Sequence, residues 1–474
     1  MLFPKVEFNS TIRNLMSKKT NNINNTILVA GNGFDLAIGL KTKYSDFFVV
    51  ISLLIALDKY ENEFKCANFS GIKEGTVSIL AEVETLFPIS NQQVPPSDNE
   101  KLKHITDLKK LTEIALKWYV SSDFKIDDLQ AHIKHDFYFD FYSKILNHSL
   151  LTEYITGRAP IPTLLFKDDS KNSFFMDEPI PKEFNEYSSY TKFERFIHII
   201  DSTISRSVYS GWMDLESFIE AMVTGSSYLR DKFGCEEIPL RDRYDSVKTF
   251  LEGLEYFCID FEKYISLINE DIPKGYDANS LFSDYKESFK KRNPTEDISL
   301  LDFKNIRDVL NYNYTDTFNV LLAESVKVYY INGKAEGNFY AERKKSKIVF
   351  GYTRNDRTLD ISPKCFAFEK DKQRFLKNVV LYDYEEILKE PYNVILFGHS
   401  CSPADGDVLS HLLSNDKLNK AVICCYNEEA MASTYENLVQ ILDENPKLET
   451  TINKLIIQKK VLFCLYEKDD SISN

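Results

Sequence analysis

Seven short, almost wholly apolar runs, one near the start of the chain and six near its end, constrain the fold most. The first is Thr26-Ile-Leu-Val-Ala30, which stops at Gly31-Asn32-Gly33. The others are RDVLNYNY (307–314), VKVYYING (326–333), KIVFGY (347–352), YNVILFGHS (392–400), KAVICCYN (420–427) and KKVLFCLY (459–466). Strands that are apolar at successive positions bury both faces, which is the pattern of a parallel sheet covered by helices. Helix-period stretches at 366–381, 404–414 and 428–442 separate several of these runs. The expected fold is therefore α/β, a doubly wound and mostly parallel sheet.

The first run has no partner nearby and belongs with strands about 280 residues later. Between them the pattern changes to apolar residues at three-to-four spacing, as in 101–120, 193–208, 213–223 and 244–268. That spacing predicts amphipathic helices. Pro-rich polar stretches at 87–100 and 157–184 read as loops between them. Residues 25–50 thus hold the first strand, glycine loop and helix, 51–300 a large helical insertion, and 301–474 the rest of the core.

Composition narrows the function classes. Lys plus Arg total 58 against 72 for Asp plus Glu, a net charge of −14. An acidic chain of this kind is a poor match for phosphate-backbone binding, so nucleic acid is not expected as a partner. The longest apolar run, Phe47 to Leu57, would span about 16 Å as helix, half of what a bilayer requires. It reads as a buried helix, and no membrane partner is expected. Eight cysteines form no CxxC pair and share no spacing with the seven histidines. Buried thiols in a reducing, cytoplasmic compartment account for them, and no metal ligand set is expected.

In an open parallel sheet, ligands bind beyond the carboxyl ends of the strands. After the first strand come Gly31, Asn32, Gly33, Phe34 and Asp35. Two glycines at i and i+2 permit a tight turn and close approach of a phosphate to a helix N-terminus. A third glycine is absent, since residue 36 is Leu, and such a turn can also be purely structural. The second constellation is Asn311-Tyr312-Asn313-Tyr314-Thr315-Asp316. It reads either as an amide pair with an Asp helix cap, or as Asn313 directing its amide at a ribose or a water.

Two further turns follow strands. Asn332-Gly333 closes the third run. Gly398-His399-Ser400-Cys401-Ser402 resembles a nucleophile elbow, but Ser402 replaces its last glycine and only His411 follows as a base. Ser400 and Asp405 fit better as ligand hydrogen-bonding groups or helix caps, and His399 is the one histidine at a strand end. In the insertion, Trp212-Met213-Asp214-Leu215-Glu216 places Glu216 one turn before Glu220. Acids in a first helical turn also simply suit the helix dipole.

Taken together, GNGFDLAIGLKTKYSDF (31–47), WMDLE (212–216), LNYNYTDTF (310–318), INGKAEG (331–337), FEKDKQRF (368–375) and LFGHSCSPADGDVL (396–409) resemble the AbiH family, proteins of bacterial abortive infection against phage. The motifs span nearly the whole chain. A more distant similarity links the glycine loop, Asn313-Tyr314 and Gly398-x-Ser400 with Asp405 to sirtuin-like NAD-binding and NADase domains. It implies a Rossmann-like, sirtuin-like core with Gly31, Asn32 and Gly33 near phosphates. Ser400 would then lie near the adenosine ribose and Asn313 near the nicotinamide ribose, beside Phe34, Tyr314, Asp316, Asn332, Gly333 and Asp405.

The resemblance implies an antiphage effector that binds NAD or a related nucleotide and hydrolyses its glycosidic bond, with NAD as substrate and no required cofactor. A phage-encoded trigger and a homo-oligomer are further expectations. Where the sirtuin-like proteins carry His-Gly, this chain has Asn332-Gly333, so the general base would be His399, Asp35 or Glu216. A non-hydrolytic nucleotide sensor signalling through the helical domain is the alternative, and a serine hydrolase using Ser400 a third.

Overall fold

The computed structural model describes residues 25–44, 110–121, 124–135, 244–293, 296–336, 346–353, 363–379, 384–445 and 448–466, with scattered positions in 46–54 and Ile219. Its centre is a sheet of six strands, all parallel. They are β1 (Thr26–Ala30), β2 (Ile306–Asn311), β3 (Lys327–Tyr330), β4 (Tyr392–Phe397), β5 (Leu418–Cys425) and β6 (Val461–Leu465). Their order is β3-β2-β1-β4-β5-β6, so β1 sits between strands that follow it by about 280 and 370 residues.

Side chains alternate between two cores, as a pleated strand requires. Leu28, Ala30, Val309, Ile395, Phe397, Val422 and Cys424 pack on one face. Ile27, Val29, Leu310, Val394, Leu396, Ala421 and Ile423 pack on the other. All of β1 and β4 is buried, which explains why neither shows a polar alternation in sequence.

The helices fill both faces. They include α1 (Asn32–Ala37), α2 (Ile126–His135), α3 (Tyr244–Ile268), α4 (Asn279–Arg292), α5 (Thr317–Leu321), α6 (Lys370–Leu376), α7 (Gly406–Ser414), α8 (Glu428–Leu438) and α9 (Ile452–Ile457). Asn427 caps α8 by accepting from the Ala430 amide at 2.7 Å, and Thr451 caps α9 through Lys454 at 3.2 Å. Helix α3 follows the apolar spacing of 244–268 and sets Phe257, Phe261 and Tyr264 against Phe47. A His132–Asp260 contact of 3.0 Å joins α2 to α3. Phe47, Val50, Ile51, Leu53 and Leu54 are buried. Among the described residues, no helix is long and apolar enough to cross a membrane.

One expected strand is absent from the sheet. Residues 347–352 form only an isolated bridge, Tyr352 with Glu369. Ile348, Val349 and Phe350 are fully buried, so the run is apolar because it crosses the core. Its backbone is satisfied outside a ladder: the Val349 amide donates to Asn332 O at 2.8 Å and the Tyr352 amide to Phe368 O at 3.1 Å.

Candidate functional site

The register aligns the carboxyl ends of the central strands, with Ala30 between Asn311 and Phe397. The β1 and β4 turns then meet backbone to backbone. The Gly31 amide donates to Phe397 O at 3.1 Å and the Gly33 amide to Gly398 O at 2.9 Å. A Cβ on Gly31 would stand 2.5 Å from Gly398 O, and one on Gly33 2.6 Å from Gly398 Cα. Gly398 itself has φ +64°, and a Cβ there would lie 2.3 Å from the Phe34 amide nitrogen. The glycines thus let two loops touch. Asn32 turns to Thr42, whose hydroxyl donates to Asn32 Oδ1 at 2.5 Å. Phe34 enters the core between Phe318 and Phe397, with ring centroids at 4.7 and 5.5 Å.

Asp35 is fully buried on α1. Its two oxygens accept from the hydroxyls of Thr315 at 2.6 Å and Thr317 at 2.8 Å. Burial pushes its carboxyl up to about 6, and the two hydroxyls offset only part of that rise. The Asn311 side chain closes the turn by donating to Thr315 O and accepting from the Asn313 amide. Asn313 Nδ2 then donates to Gly31 O at 3.1 Å, tying the β2 turn to the glycine loop.

A second buried cluster lies past β4. His399 Nδ1 accepts from the Cys401 amide at 2.9 Å, and Nε2 faces Asp405 Oδ2 at 3.5 Å. This places the ring proton on Nε2. Burial lowers the imidazole pKa despite Asp405, so the ring is neutral at pH 7. Tyr312 meets the ring edge-on at 4.3 Å. Asp405 stands at the N-cap of α7 without capping it; its carboxylate pairs with the buried Lys370 ammonium. Burial alone would raise Asp405, but Lys370 and His399 outweigh it and hold the group below its usual range. One turn on, Arg374 pairs with Asp407 and donates to Ile331 O at 3.1 Å and Asn332 Oδ1 at 3.3 Å.

The third cluster edges β3. Asp316 accepts from Tyr330 at 2.7 Å and Asn319 at 2.6 Å and pairs with Lys334 at 2.9 Å. It begins α5 without a side-chain cap. Tyr314 donates to Val349 O at 3.2 Å and packs on Phe261 and Phe350. Gly333 has φ +85°, and a Cβ there would stand 2.1 Å from Lys347 O. The sequence Asn-Gly is therefore a close crossing as well as a turn.

The structure gathers Asp35, Asn313, His399 and Asp405 along one sheet edge, in separate polar clusters. Glu216 lies outside the described residues. Ser400 is exposed, with its carbonyl accepting from Asn437 Nδ2 at 2.9 Å. His411 meets the Tyr384 hydroxyl at 3.2 Å. Lys370, Arg374 and Thr317 had no place among the candidate site residues, and Thr315 stood in the second constellation without a role of its own. Their signal was the i, i+4 cation pair in FEKDKQRF and the two threonines of NYTDT. Among the described residues, no three His, Cys, Asp or Glu are grouped to hold a metal ion.

A family model described as bacteriophage abortive infection AbiH matches residues 172–426, more than half of the chain. No curated protein and no solved structure matches.

Proposed function

The chain belongs to the AbiH family of bacteriophage abortive infection proteins, and we propose that its α/β core binds NAD or a related nucleotide as part of that defence. The observation that carries this reading is the reversal of strand order at β1 and β4, with Gly31, Gly33 and Gly398 in backbone contact there. Ligands of doubly wound sheets occupy that switch point, and the order β3-β2-β1-β4-β5-β6 is the one found in Rossmann-like dinucleotide folds. Phosphates lie near Gly31 and Gly33, one ribose near Ser400, and Asn313 near the glycosidic bond to be cleaved.

Hydrolysis of that bond passes through an oxocarbenium-like state and requires a base or carboxylate to orient the attacking water. Asp35, with its pKa near 6, has the proton affinity for that role. A second reading, binding without turnover, is favoured by a specific geometry. Both Asp35 oxygens, His399 Nδ1 and Asn332 Oδ1 already accept hydrogen bonds from the protein. Turnover therefore needs a rearrangement, for which a phage-encoded trigger or self-association in the cytoplasm is the natural source.

The test is intracellular NAD by mass spectrometry, before and after phage challenge, in cells with wild type or Asn313→Ala. Loss of NAD only in wild type supports the hydrolase. Phage protection with constant NAD, together with NAD binding to purified protein by calorimetry, supports the sensor. If NAD is neither lost in cells nor bound by the purified protein, the nucleotide reading is overturned.

A further inference from the structure

The carboxyl edge continues beyond Ser400 into a row of aromatic rings whose outer members, Tyr426 and Tyr466, have no role in the site described above. Two residues past the paired Phe397 and Cys424 lie His399 and Tyr426. One residue past the paired Cys425 and Leu465 lie Tyr426 and Tyr466, joined by the Tyr466 amide donating to Cys425 O at 2.9 Å. The Tyr426 and Tyr466 rings stack nearly parallel, 5.9 Å apart with planes at 11°. Tyr466 meets Tyr285 at 5.5 Å, Tyr285 meets Phe397 at 5.3 Å, and Phe397 meets Phe34 of the glycine loop at 5.5 Å. One end of this ladder is buried in the core. The other end, Tyr426, is 71% exposed.

An exposed aromatic ring held from behind by packed rings is preorganised to receive a flat partner, because little side-chain freedom remains to be lost. Its position identifies that partner. Moving outward along the edge, the chain presents Gly31 and Gly33 after β1, Ser400 after β4 and Tyr426 after β5, neighbouring strands being about 4.8 Å apart. A nucleotide laid along the edge offers phosphate, ribose and base in the same order. We propose that the adenine of the bound nucleotide stacks on the outer face of Tyr426, with Tyr466 as the backing ring. The inference rests on the nucleotide reading above and adds a base subsite to it.

The test is calorimetric titration of the purified full chain with AMP and with ribose 5-phosphate, in wild type, Tyr426→Ala and Tyr426→Phe. Loss of a stacking partner should weaken AMP by about tenfold to a hundredfold in Tyr426→Ala. Tyr426→Phe should restore it, and ribose 5-phosphate should bind all three proteins alike. AMP affinity unchanged in Tyr426→Ala overturns the subsite while leaving nucleotide binding intact. So does equal weakening of ribose 5-phosphate, or a change confined to oligomeric mass by light scattering, which would make the ring a contact between copies. If wild type binds neither probe nor NAD, the nucleotide reading falls and the subsite with it. Because Tyr426 is exposed, the melting temperature of Tyr426→Ala should stay close to wild type.

Discussion

Asp35 and Asp405 make an instructive pair. They follow neighbouring strands, lie at the same edge of the sheet and are both buried, yet they are held by opposite means. Asp35 faces two neutral hydroxyls, which cannot offset its loss of water, and its pKa rises to about 6. Asp405 faces the Lys370 ammonium, and its pKa falls although it too is buried. Depth alone does not set a carboxyl's charge; the charge of its partner does. The β1 turn is therefore built to tolerate a neutral group, and the β4 turn depends on a cation.

The largest loss should come from separating the two turns themselves. Gly398→Ala forces a Cβ to 2.3 Å from the Phe34 amide at φ +64°. A loss of about 5 kcal/mol or more is expected in chemical denaturation, from strain and overpacking together. A wild-type midpoint would show that the two turns do not depend on touching.

Next in size is Lys370→Met, which leaves Asp405 buried without its cation. A loss of about 3–5 kcal/mol is expected at pH 7, and much of it should return when Asp405→Asn is added. A double-mutant cycle with no coupling would remove the cation from the account.

The two carboxyls should also respond oppositely to acid. Asp35 has a folded pKa above its unfolded value of 3.8, so its stabilisation is full below about pH 4 and is lost as pH rises through about 6. The change amounts to roughly 3 kcal/mol. Asp405 has a folded pKa below 3.8, so its contribution is present above pH 4 and is lost in stronger acid. Asp35→Asn should keep stability within about 1–2 kcal/mol of wild type at pH 7 and flatten the profile between pH 4 and 6. A retained slope would place the titration elsewhere. The smallest effect belongs to Gly39→Ala, where φ is +88° but nothing stands within 4 Å of the new Cβ. Only the backbone term of about 1 kcal/mol remains.

The fold was legible where periodicity was undiluted. Helix α3 runs over Tyr244–Ile268, the stretch its apolar spacing marks, and β1 and β4 follow their unbroken apolar runs. Residues 347–352 misled because burial alone makes a segment apolar, while only backbone pairing makes it a strand. The site was legible at its glycines, but their purpose was not: close approach of two loops 367 residues apart, as between Gly31 and Gly398, leaves no local trace. Lys370 and Arg374 stayed hidden because charged residues at helical spacing suggest a solvated face. The ion pairs that bury them come from Asp405 and Asp407, more than thirty residues on.

The placement of β1 also governs when the molecule can come into being. Its partners Ile306–Asn311 and Tyr392–Phe397 are synthesised about 280 and 370 residues after it. At ribosomal speeds the first of these delays alone is roughly 15 to 55 s. During that time an apolar segment destined for the middle of the sheet has no neighbour on either edge, so nascent chains should engage chaperones and remain protease-sensitive at 26–30 until both partners emerge. Limited proteolysis of ribosome-bound chains stalled at residue 380 and at residue 474 would reveal that switch. A chain broken off before Phe397 lacks the surface on which Gly31 and Gly33 close, and interrupted translation therefore yields no partly armed defender.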